Sequence, residues 1–229
     1  MPICRRSLLR LLVAAPAGVI AFGRRASAQT GGPVSPLHDA VAAGDAPALR
    51  RLIAAKVPLD ARDAGGRTAL LVATHQDRVE IARLLIEAGA DVNAKDAISD
   101  SPYLYAAAEG RLDILRLTLA HGADLAATNR YGGTGLIPAA HHGHVEAVRI
   151  LLGTRIDRDH VNRLGWTALL EAIVLGDGGP AHTEIVRLLV EGGADPNLAD
   201  GNGARPLRLA RERGQTAIAA ILERAGARP

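Results

Sequence analysis

Ala139–Val148 reads AAHHGHVEAV and places His141, His142 and His144 within four residues. Imidazole is a common metal ligand, so metal binding is the first chemistry to test. Neighbouring residues on a helix point about 100° apart, so His141 and His142 do not converge on one ion. Cys4 is the only cysteine, and it lies at the N-terminus. The rest of the chain has no thiolate to complete a zinc set, form a disulfide or act as a nucleophile. No metal is expected here.

Other candidate chemistry is equally thin. Asp177-Gly178-Gly179-Pro180 has no following Lys-Ser/Thr and no preceding buried strand, so it does not make a phosphate loop. No Gly-x-Ser-x-Gly turn is present. Asp157 and Asp159 fall in a predicted hairpin limb, where carboxylates serve turn geometry. Asp91, Asp124, Asp157 and Asp195 recur along the chain. Catalysis rarely needs one carboxylate per repeat, so these are expected to be structural. The chain is expected to be no enzyme and to carry no cofactor.

The elements that position these residues follow from composition and period. Aromatics make up 2% of the chain, so an interior rich in Ala and Leu points to helices packed closely on small side chains. Arg5, Arg6, Arg10, Arg24 and Arg25 share the first 28 residues with no Asp or Glu. Without those five, 22 basic residues face 24 acidic ones. Nucleic-acid binding needs a basic face, and this mixed body offers none.

The same N-terminal segment reads as an address. Leu11 to Phe22 is an apolar run between Arg pairs, too short to span a bilayer. Ala26-Ser27-Ala28 is the small-x-small pattern of signal cleavage, expected after Ala28. Arg5-Arg6-Ser7-Leu8-Leu9-Arg10 resembles a twin-arginine signal, with Leu8 where Phe is commoner. That resemblance implies a bacterial periplasmic protein delivered folded. No lipid anchor and no later membrane span are expected.

Beyond residues 29–34, a short linker, the chain repeats. Thr68, Ser101, Thr134 and Thr167 are spaced by 33 residues, as are Asp63, Asp96, Asn129 and Asn162. Such a period marks a solenoid. Within repeat 2, Thr68 predicts an N-cap for a helix to about His75, and a second helix covers about Val79 to Glu87. Ala88-Gly89 ends it, and Asp91-Val92-Asn93-Ala94 leads to a tight turn near Asp96.

This pattern resembles the ankyrin repeat. The resemblance rests on Ser35-Pro36-Leu37-His38 at a helix start and Gly143-His144-Val145-Glu146 between helices. Leu84 to Asn93, LLIEAGADVN, matches the second helix and its exit. It implies an all-α repeat solenoid, helix-turn-helix units with β-hairpin tips, over 35–229 as five repeats and a C-terminal cap. The units are expected near 35–62, 63–95, 96–128, 129–161 and 162–199, with the cap at 200–229. Leu71, Leu104, Ile137, Leu170 and Arg208 replace the family histidine after His38. Repeat 4 has Gly135 and Pro138 in its first helix, which weaken it. Repeat 5 is five residues longer, an insertion expected as a loop within Gly176 to His182.

In that register His144 is a structural consensus residue. His141 and His142 take variable positions that face the family's concave groove, as do Glu109 and Leu175. Tyr103 replaces a core Leu and is expected to be buried. Tyr131 and Trp166 fall on the tips of repeats 4 and 5 with Arg130, Arg163 and Leu164. Ile98 sits on the preceding tip and Tyr105 on the first helix of repeat 3. Tyr, Trp and Arg dominate interface hot spots, so these residues form the expected protein-binding site. The expected function is a non-enzymatic, monomeric periplasmic adaptor, accessory to an exported redox enzyme. The alternative is a secreted sequestering or inhibitory module acting on an extracellular or host protein. Nucleic-acid and membrane partners are not expected.

Overall fold

The structure, a computed structural model, describes residues 35–229. The leader peptide and linker expected over 1–34 lie outside the described residues. Twelve helices follow one another as six pairs: α1 Pro36–Ala43 and α2 Ala46–Ala54, α3 Ala69–His75 and α4 Val79–Glu87, α5 Pro102–Ala108 and α6 Leu112–Ala120. The series continues with α7 Leu136–His141 and α8 Val145–Leu152, α9 Ala168–Val174 and α10 Pro180–Glu191, then α11 Pro206–Glu212 and α12 Thr216–Arg224. Each first helix packs on the first helix of the next pair, and each second helix on the next second helix. One apolar core therefore runs the length of the stack, from Leu37 to Leu222.

Capping chemistry sets the helix starts. The hydroxyls of Thr68, Ser101 and Thr167 accept the N–H of Leu71, Leu104 and Leu170, each at 3.2 Å. Repeat 4 breaks this rule. Thr134 Oγ1 is buried without a partner among the described residues, and α7 is six residues long. Pro138 has no N–H to give the Thr134 carbonyl, and the Ile137 N–H bonds to it instead at 3.2 Å.

The tips explain the recurring Asp and Asn. Oδ1 of Asp63 accepts from Gly65 and Arg67, and that of Asn129 from Tyr131 and Gly133. Asp96, Asn162 and Asp200 do the same in their own tips. A backbone bond across each turn closes it, such as Asn129 N–H to Gly133 carbonyl at 2.9 Å. The tips are thus held by side-chain and backbone bonds together, and Arg62 with Thr68 forms an antiparallel bridge.

The repeat 5 insertion is only partly the expected loop: residues 176–179 are non-helical and the remainder is helix. Pro180-Ala181-His182 form an added first turn of α10, which reaches twelve residues. Pro180 enters at the helix start, where its missing N–H leaves no bond unmade.

Candidate functional site

The first helices α5, α7 and α9 and the tips before α7 and α9 enclose a concave depression of about 400 Å³. Tyr105 and Glu109 of α5 line one side, with Arg130 and Tyr131 of the repeat 4 tip above them. His141, His142, Leu164 and Leu175 complete the sequence-predicted residues that meet there. Tyr131 and Leu164 are each 54% exposed and Leu175 is 42% exposed, so apolar surface is left in solvent around the rim.

The walls are held by specific contacts. Tyr105 stacks on His75 of α3 with ring centroids 3.9 Å apart. Arg130 pairs with Asp100 at 3.4 Å and lies 5.2 Å over the Tyr131 ring. His142 Nδ1 donates to the Ala108 carbonyl at 2.7 Å, which ties α7 to the end of α5. His182, on the added turn of α10, reaches back to the His141 carbonyl at 2.9 Å and to Asp177 at 2.8 Å. Burial, then the nearby His142 and His182, push the His141 imidazole below the usual histidine range. Burial does the same to His144. That ring packs under the turn at Gly110, where φ is +63° and an added Cβ would sit 2.7 Å from Nδ1. Among the described residues, no three His, Cys, Asp or Glu are grouped to hold a metal ion.

The floor holds residues that the sequence reading passed over. Glu171 of α9 is 6% exposed and Asn162 is 5% exposed. Asn162 Nδ2 donates to Glu171 Oε1 at 2.7 Å, while its own Oδ1 accepts two tip N–H groups. Glu171 Oε2 lies 3.7 Å from His141 Nδ1 and accepts no hydrogen bond from a described residue. Burial raises the Glu171 carboxyl above its ordinary range, against the Asn162 bond and the neighbouring His142. The missed signal was register: Glu171, Pro138, Tyr105 and Val72 each stand four residues after the capping position. Residues four apart share a helix face, so this position and the one bearing Glu109, His142 and Leu175 look the same way.

Three predicted residues stay outside the depression. Trp166 is half-buried and packs against the hydrophobic core. Arg163 is exposed and turned to the neighbouring tip, its backbone N–H donating to the Tyr131 carbonyl and its Nη1 to the Arg130 carbonyl at 3.0 Å each. Ile98 is 51% exposed on the repeat 3 tip, away from the concave face's lining.

The model of ankyrin repeats (3 copies) matches residues 6–96 and 103–200. The chain belongs to the ankyrin repeat family. An ankyrin repeat domain from Acinetobacter baumannii AYE is 57% identical, with a TM-score of 0.83 over 84% of this chain and 98% of that one. The ankyrin repeat protein EF0377 is 42% identical, with a TM-score of 0.80 over 82% of this chain and 96% of that one. The ankyrin domain of Bcl-3, a member of the IκB family, is 30% identical with a TM-score of 0.78, over 86% and 88% of the two chains. The ankyrin repeat protein YahD of Escherichia coli K12 is 58% identical over 57 residues, which span 25% of this chain and 28% of that relative. Ankyrin repeat domains are protein-interaction scaffolds and generally non-enzymatic. In this ankyrin stack the family histidine survives at His38, whose Nε2 donates to the Arg67 carbonyl of the next repeat at 2.9 Å. Buried Leu71, Leu104, Ile137 and Leu170 replace that link with apolar stacking.

Proposed function

We propose that this protein is a monomeric adaptor of the bacterial periplasm that binds another protein in the depression formed by repeats 3 to 5. The observation that carries this reading is the concave surface itself, rimmed by exposed Tyr131, Leu164 and Leu175. Aromatic and aliphatic side chains left in solvent around a concavity are typical anchors for a partner. Export rests on the N-terminal basic-apolar-cleavable pattern and its twin-arginine likeness. Among the described residues no helix is long and apolar enough to cross a membrane. A partner that is itself an exported redox enzyme fits the accessory role.

The test is a pull-down from periplasmic extract of the native bacterium, with the tagged full chain and a Tyr131→Ala/Leu164→Ala variant as baits. Both residues are exposed, so the variant is expected to keep the wild-type circular dichroism spectrum. A protein held by wild type and lost from the variant supports the reading. Equal capture by both removes the depression as the binding surface. Capture only from culture supernatant or host extract favours the secreted sequestering module.

A further inference from the structure

We propose that the depression receives a lysine or arginine side chain of the partner protein, with Oε2 of Glu171 as its acceptor. The inference rests on the protein-binding reading and names the chemistry recognised.

The floor is built around an incompletely satisfied carboxylate. Glu171 is buried, yet only Oε1 is hydrogen-bonded, by Asn162 Nδ2. The Leu164 and Trp166 N–H groups of the adjoining tip are already given to Asn162 Oδ1. No donor of that tip bonds Oε2, which shares the depression with His141 at 3.7 Å. Oε2 opens to the depression rather than being sealed in the core, so a donor brought by a partner can complete its hydrogen bonding.

The charge balance selects the donor's sign. Asp100 is matched by Arg130 at 3.4 Å. Glu109 and Glu171 line the same depression, and neither pairs with Lys or Arg among the described residues. His141 is held below the usual histidine range by burial and its neighbouring histidines, which weakens it as a compensating cation. An anionic side chain would meet two carboxylates. A cationic one finds Glu171 below, Glu109 beside it and the Tyr105 and Tyr131 rings at the wall. Arg130 over Tyr131 shows that a guanidinium already fits a ring here. Ile137, Pro138 and Leu175 offer apolar surface to the methylene stem of a long basic side chain.

The experiment titrates the ¹⁵N-labelled full chain with Ac-Leu-Lys-Leu-NH2, its arginine counterpart and the norleucine analogue Ac-Leu-Nle-Leu-NH2, which lacks only the ammonium group of the lysine peptide. Amide shifts in repeats 3 to 5 give each Kd. At least one basic peptide is expected to bind about tenfold or more tightly than the norleucine peptide. Glu171→Gln keeps the bond from Asn162 and is expected to erase that preference, so that basic and norleucine peptides bind alike. Glu109→Gln, at the wall, is expected to reduce the preference only a few-fold. A preference that survives Glu171→Gln overturns the proposal. Equal binding of all three peptides, lost together in Tyr131→Ala, also overturns it but leaves the protein-binding reading standing. Absence of shifts with every peptide overturns it as well, and the pull-down then decides the broader reading by itself.

Discussion

At the scale of single residues, Glu171 carries a stability penalty that its proposed role explains. Burial holds its native pKa above the unfolded value of about 4.5, against the Asn162 bond and His142. The native state therefore binds more protons than the unfolded chain between those two values. The stabilisation linked to that proton is fully present below pH 4.5 and is lost as pH rises through the native pKa. Glu171→Gln removes the titration and keeps an acceptor for Asn162 Nδ2. The wild type is thus expected to lose stability relative to the variant as pH rises above about 4.5, read as the difference of two urea-unfolding curves at each pH. A difference that is flat with pH removes Glu171 as a buried titrating group. The Asp and Asn of the tips were visible in the sequence because they repeat with the period, and their hydrogen bonds confirm a turn role. Glu171 was not, because it occurs once, and charged residues are mostly exposed. Only the three-dimensional overlap of α7, α9 and the Asn162 tip buries it.

At the scale of elements, the unusual first helix of repeat 4 is matched to its neighbour. Tyr103 is fully buried in α5, where the corresponding residues of other pairs are Leu37, Leu70, Leu136, Leu169 and Leu207. Its hydroxyl has no partner among the described residues, and burial raises its pKa well above the usual phenol range. Gly135 makes the room: a Cβ there would lie 3.0 Å from the Tyr103 hydroxyl and 3.1 Å from the Ala107 methyl. Repeats 2 and 5 place Ala69 and Ala168 at that position. Tyr103→Leu is expected to cost about 2 kcal/mol through the cavity it leaves, and Gly135→Ala about 1–3 kcal/mol through crowding. Together they restore the pairing that Leu37 has with Ala69 and Leu136 with Ala168, so the double variant is expected to lose at least about 1 kcal/mol less than the sum. Additive losses in urea unfolding would show that the two positions are independent. The sequence displayed both oddities but not their link, since Tyr103 and Gly135 are 32 residues apart and meet only when α5 and α7 stack. The helical part of the repeat 5 insertion was missed for a related reason. Its Gly-Pro content reads as loop, yet Pro180 at a helix start is compatible with an added turn.

At the scale of the molecule, a stack of pairs needs a last pair with one wet face. α11 and α12 supply it, with Arg208 paired to Glu212 at 2.7 Å and Arg211 to Glu223 at 2.8 Å on the outside. That polar load stands in the sequence as Arg208, Arg211, Glu212, Arg213, Glu223 and Arg224. The inward half of the role does not. Gln215 donates to the Ile173 carbonyl at 3.0 Å, and Arg213 reaches the Val174 carbonyl at 3.3 Å, so the cap closes the end of α9. Gln215 also packs against Gly178 in the turn before α10. The helix that carries Glu171 and leads to Leu175 is therefore steadied from outside the depression. Removing residues 200–229 strips this support and uncovers apolar side chains packed on Leu207, Leu209, Ile218 and Leu222. The loss is expected to reach about 3 kcal/mol or more, because burying each such side chain contributes roughly 1.5–3 kcal/mol. For a chain of this size that lowers Tm by roughly 6–12 °C. Calorimetry of the truncated and full chains reads the shift, and dye binding reads the exposed apolar face. Hydrogen exchange adds the spatial test, since α9 and α10 should lose protection before α3 and α4 in a nearest-neighbour stack. An unchanged Tm, or a loss of protection spread evenly over all pairs, would mean that the last pair neither seals the core nor supports the groove helix.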